Sequence, residues 1–117
     1  MTDMVNHPPH YEQQSIRVEP IDILQFAPFD LGNALKYIIR SKHKGNELLD
    51  LKKAEFYLQR IVDNENFTHR EHINWFAEQY GHLVRRFEGC ETFEWHTWAD
   101  VTRILNDVQE RIETLEK

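Results

Sequence analysis

In four stretches between Leu31 and Leu115 (31–39, 48–62, 73–87 and 101–115) the apolar residues return at the three- and four-residue spacing of an α-helix. Little interrupts them, since the 117 residues include only four glycines and four prolines. That is too few breakers for the many turns of a β-sandwich or barrel, and the chain is predicted to be all-α. One domain is expected at this size. Three parts are expected within it: an N-terminal arm (1–18) packed on the body, a helical core (19–64), and two long C-terminal helices (65–117).

The arm is marked by Val5-Asn6-His7-Pro8-Pro9-His10-Tyr11, where two prolines fix the backbone and push the residue before them towards extended structure. A first helix should start at Glu19-Pro20, with proline in the first turn, and stop before Pro28. The stripe Leu31, Ala34, Leu35, Ile38, Ile39 predicts a second helix over 31–41, with Asp30 as its N-cap. A short basic turn, Lys42-His43-Lys44-Gly45, and a capping Asn46 lead into a third helix over 47–64. So short a link predicts an antiparallel hairpin.

Thr68-His69-Arg70-Glu71 has the form of a capping box and opens a fourth helix with the stripe Ile73, Phe76, Tyr80, Leu83, Phe87. The last helix, predicted over 95–116, carries Val101, Leu105, Val108, Ile112 and Leu115. Both stripes alternate steps of three and four, so these two helices should pair coiled-coil fashion, within the chain or between copies of a homo-oligomer. Trp75, Trp95 and Trp98 are expected in the core or at such a contact. No internal repeat stands out.

Charge is unevenly spread. The net charge is −6, which argues against a general nucleic-acid binder, yet residues 30–60 are net +3 while 1–29 are −3 and 61–117 are −6. No apolar run is long enough to span a membrane, and the start of the chain has neither the basic nor the apolar stretch of a signal peptide. A cytoplasmic location is therefore expected. The single Cys90 excludes an internal disulfide and any multi-cysteine zinc site. His69, His72, His82 and His96 do not by themselves make up a zinc set. P-loop, Rossmann and serine-hydrolase motifs are absent.

The basic middle segment is where an anion site is expected. Asn33, Lys36, Tyr37 and Arg40 form a polar stripe on helix two, and Asp50, Lys53, Tyr57 and Arg60 form another on helix three. In an antiparallel hairpin the two can face one groove. Guanidinium offers a planar fork and ammonium a point charge for phosphate, while tyrosine can stack on a base. A nucleotide or another small phosphate-bearing molecule is the expected ligand, with Lys44 from the turn and Asn6, His7, His10 and Tyr11 from the arm joining the site. A separate reading uses Glu19, Asp22, Glu47 and Asp50, two i, i+3 carboxylate pairs on different helices that could hold Mg²⁺. Their spacing is similar to that of all-α nucleoside triphosphate pyrophosphohydrolases.

Read in order, Asn6-His7-Pro8-Pro9-His10-Tyr11, Glu19-x-Ile21-Asp22, Gly32-Asn33-Ala34-x-Lys36-Tyr37-x-x-Arg40, Lys44-Gly45 and Asp50-Leu51-Lys52-Lys53-Ala54-x-x-Tyr57-Leu58-x-Arg60 resemble the SaV-like family. This is a family of small phage and prophage proteins of unknown function that includes a phage nucleotide kinase lacking a P-loop. The resemblance covers residues 5 to about 62. It implies a bacterial host cell and nucleotide chemistry, with nucleoside monophosphate kinase activity as the enzymatic expectation. Arg40, Lys36 and Lys53 would then neutralise phosphate, and Asp50 would orient a lysine or the attacking oxygen, making Asp50, Lys53 and Arg40 the catalytic candidates. The alternative is a non-enzymatic phage accessory protein that binds a host partner or sequesters nucleotides.

Overall fold

The computed structural model describes residues 18–43 and 45–117. Residues 1–17 of the N-terminal arm and Lys44 lie outside the described residues. Among the latter there are five α-helices and no strand: α1 (Pro20–Leu24), α2 (Phe29–Arg40), α3 (Glu47–Asp63), α4 (Phe67–Val84) and α5 (Val101–Glu116), with a 3₁₀ turn at Trp98–Asp100 before α5. The all-α expectation holds. No described helix is long and apolar enough to cross a membrane.

Helices α2 and α3 form the predicted antiparallel hairpin, and their stripes supply the centre of the core: Leu31, Ala34, Leu35 and Ile38 against Leu51, Ala54, Leu58 and Ile61, all buried. The small Ala34 and Ala54, both fully buried, stand within these stripes. Asn46 caps α3 as expected, its side chain accepting from the backbone N–H of Leu49 at 3.0 Å.

Four local expectations are corrected. Helix α2 begins at Phe29 behind Pro28, so Asp30 sits inside the first turn and is not an N-cap. Its carboxylate still meets the positive end of the helix, but it also accepts from Arg60 Nε at 3.0 Å. Helix α4 begins one residue before Thr68, because Asn66 takes the capping role by accepting from the His69 N–H at 2.9 Å. Phe87 falls beyond the end of α4. Trp95 belongs to the loop before α5, where it is buried.

The pairing of the last two helices also differs. Helix α5 lies along α3, not along α4. Its stripe of Val101, Leu105, Val108 and Ile112 is buried inside the chain, joined by Ile104. Two ion pairs tie it to the hairpin: Arg111 with Glu47 at 3.0 Å and Lys52 with Glu116 at 2.8 Å. Helix α4 instead buries Ile73, Phe76 and Ala77, with the Phe76 ring edge-on to Trp95 at 5.9 Å.

A repeat also runs through the hairpin. Asp30-Leu31-x-x-Ala34-x-x-Tyr37-Ile38-x-Arg40 recurs twenty residues later as Asp50-Leu51-x-x-Ala54-x-x-Tyr57-Leu58-x-Arg60. Two antiparallel helices with one pattern are related by an approximate twofold axis between them. Each buried aspartate stands in the first turn of its helix and meets the arginine from the last turn of the other: Asp30 with Arg60 at 3.0 Å, Asp50 with Arg40 at 3.7 Å. Both guanidinium groups are more than half exposed, so each pair contributes modestly and serves mainly to set the register.

One pH effect arises from the fold. Burial holds the His69 imidazole below its ordinary pKa of 6.5. The folded chain therefore resists a proton that the unfolded chain accepts, and this part of the stability is complete above about pH 6.5 and falls as pH drops below it. The carboxyl of Glu47, held low chiefly by its hydrogen bond from Arg111, adds a second loss below its ordinary 4.5. Urea midpoints from pH 8 to about 3 should decline in these two stages, and His69→Gln should flatten the first. An unchanged profile in that variant would count against the assignment.

Candidate functional site

The two repeated tyrosines meet beside the twofold axis. The rings of Tyr37 and Tyr57 are 6.2 Å apart between centroids and 7° from parallel. On one side, Lys36 Nζ stands 4.7 Å from the centre of the Tyr37 ring and Lys53 Nζ 5.3 Å from it. On the other, Phe29 and Phe56 present their edges to Tyr57 at 6.0 and 5.2 Å. The strip thus carries two ammonium groups at one end, while the cation at its aromatic end, Arg60 over Phe56, is paired with Asp30.

The two ammonium groups are exposed, and neither forms an ion pair with a carboxylate among the described residues. Lys52, by contrast, is engaged by Glu116. Like charges beside one ring repel each other, partly offset by attraction to its π face. An arriving anion would relieve that repulsion. Two hollows adjoin the pair. A depression of about 310 Å³ is lined by Tyr37, Lys52, Lys53, Phe56 and Tyr57. A larger cavity of about 660 Å³ lies between Lys36, Ile39, Arg40, His43, Gly45 and Pro20.

The structure therefore brings Lys36, Tyr37, Lys53 and Tyr57 together and puts Arg40 beside them. Asn33 lines a neighbouring groove with Lys36, and its amide donates to the Phe29 carbonyl at 2.8 Å. Asp50 is buried, and its ion pair is with Arg40, not with a lysine. Arg60 lies towards the other end of the hairpin, over Phe56 at 5.9 Å. Asn6, His7, His10, Tyr11 and Lys44 fall outside the described residues.

Three of the four carboxylates considered for Mg²⁺ have other partners. Asp22 accepts from the Glu19 N–H at 3.0 Å within a capping box. Glu47 is bound by Arg111 and Lys42, and Asp50 by Arg40. Among the described residues no three His, Cys, Asp or Glu side chains are grouped to hold a metal ion.

Phe29, Phe56, His43 and the Asp30–Arg60 pair were missed by the sequence reading. The signal for the pair and for the tyrosine contact was the twenty-residue offset between the two copies of the pattern. Residues 5–59 match the model of a family designated DUF3310 and described as a protein of unknown function. No curated protein and no solved structure matches the chain. The matched stretch runs from the arm into α3, so it contains the tyrosine pair and both lysines but neither α4 nor α5.

Proposed function

We propose that the hairpin face binds a nucleotide, the base stacked on the aromatic end of the strip and the phosphate held by Lys36 and Lys53. The observation that carries this reading is the pair of ammonium groups at 4.7 and 5.3 Å from one tyrosine ring, free of carboxylate partners among the described residues. Arg40 joins from the adjoining cavity: it touches Asp50 through Nε, which leaves the terminal nitrogens for a phosphate oxygen. A base offers a flat π face and a phosphate offers acceptors, and the strip provides the complement of each in that order. The SaV-like resemblance favours a nucleoside monophosphate, and phosphoryl transfer to it is the reaction that the resemblance implies.

Thermal-shift and calorimetric titrations with nucleoside mono-, di- and triphosphates, with and without magnesium, test the reading. Nucleotides should stabilise the protein and the bare nucleosides should not. Losing one charge-assisted contact costs about 1.5–3 kcal/mol, so Arg40→Ala should weaken binding about 10- to 150-fold. Arg40→Lys should recover only part, because an ammonium lacks the planar fork. Binding should persist in chelator and in Glu19→Ala, whereas loss of both would point to the magnesium site of a pyrophosphohydrolase. Conversion of a monophosphate to a diphosphate, followed by chromatography, separates a kinase from a binder. If no nucleotide shifts the melting temperature, the reading fails.

A further inference from the structure

Helices α1 and α2 enclose a groove of about 480 Å³ that no described segment fills. Its walls are Ile21, Leu24, Ala27 and Phe29, Gly32 lies on its floor, and Lys36 stands at one end. A Cβ at Gly32 would come within 3.2 Å of the Leu24 carbonyl oxygen, so the glycine is what lets the two helices close up here. Ile21 and Phe29 are each 73% exposed, an unusual state for large apolar side chains standing together.

We infer that the N-terminal segment of this same chain, residues 5–17, docks in this groove. The segment joins the body at Val18, two residues before Pro20, and Pro20 itself lines the groove. Fully extended, its thirteen residues reach about 43–47 Å. From Phe29 to Lys36 along α2 is only about 10 Å. The composition also suits the site. Val5, Pro8, Pro9, Tyr11 and Ile16 match an apolar groove with an aromatic wall, and Glu12 complements Lys36 at its end. A proline pair loses little backbone freedom on docking against aromatic side chains, and the tether keeps the local concentration high. The family match, residues 5–59, spans both the segment and the residues that line the groove. This inference does not rest on the nucleotide reading, and it puts the segment over Phe29 and next to Lys36, both of which that reading uses.

Hydroxyl-radical footprinting of the full chain without ligand tests it on native residues. Phe29 and Phe67 are 73% and 74% exposed, so they should oxidise alike unless something covers Phe29. With the segment docked in about nine molecules of ten, Phe29 should oxidise about tenfold more slowly than Phe67. Val5→Asp with Tyr11→Asp should bring Phe29 up to the rate of Phe67 and leave Phe67 unchanged. Equal rates in the parent chain overturn the inference. So does protection of Phe29 that survives the double variant and rises with protein concentration, which would mean a second copy covers the groove.

Discussion

Alanine at both Lys36 and Lys53 should abolish measurable nucleotide binding, the largest effect expected from any pair of surface substitutions in this protein. Each ammonium that meets a phosphate is a charge-assisted contact of about 1.5–3 kcal/mol, so each single variant should lose about 10- to 150-fold. The two are coupled, because both stand on the Tyr37 ring and each raises the repulsion that a phosphate relieves. Removing one therefore also removes part of the benefit the other gains from the ligand, and the double loss should differ from the sum of the singles. Lys52→Ala is the control: that lysine is one residue away but already bound to Glu116, and it should cost little. Calorimetry on the parent and these four variants at two salt concentrations gives the answer. Parent-like affinity in the double variant would leave the basic strip as an ordinary solvated face.

Phe76→Ala should be the most destabilising single truncation outside the hairpin, at about 3–5 kcal/mol. A domain of this kind has about 5–15 kcal/mol in total, so the midpoint in urea should drop far and the variant should be partly unfolded at 37 °C. The ring is fully buried and meets Trp95 edge-on and Tyr80 at 5.4 Å, so its loss opens a void between α4 and the loop before α5. Phe67→Ala, on an exposed ring of the same helix, should stay within about 0.5 kcal/mol. Because the void lies away from the Tyr37–Tyr57 pair, the folded fraction of Phe76→Ala should retain the parent's ligand affinity. Equal urea midpoints for the two variants would show that the ring's burial counts for little.

The hairpin was legible because its signals are local. Apolar steps of three and four define a helix face, Asn46 caps the start of α3, and a short link leaves that helix no direction but back. The same steps put Lys36 with Tyr37 and Lys53 with Tyr57 on stripes that an antiparallel pair can bring together. What could not be read is which face meets which. The stripe on α5 fits any apolar partner at helical spacing, and its choice of α3 over α4 depends on the whole core and on Arg111 reaching Glu47, 64 positions away in sequence. Asp30 was misread for a related reason. A local preference makes aspartate a fine N-cap, but Pro28 already starts the helix, and the carboxylate then finds Arg60 thirty positions on. The repeat went unseen because only five identical residues and one similar one recur in an eleven-residue pattern, and their shared purpose is plain only when the helices lie side by side.

That repeat has a consequence for polarity. Over the repeated segments, 30–40 and 50–60, both halves of the hairpin are helix with the same pattern, so nothing in that part of the main chain says which way round the proposed occupant must lie. The direction is written in four side chains: the axis that exchanges the helices puts Asn33 where Lys53 stands and Phe56 where Lys36 stands. A frame with two equivalent halves has been charged in one and left neutral in the other. Reversing the binding direction would need no new fold, only an exchange of residues between halves that already mirror each other's supports.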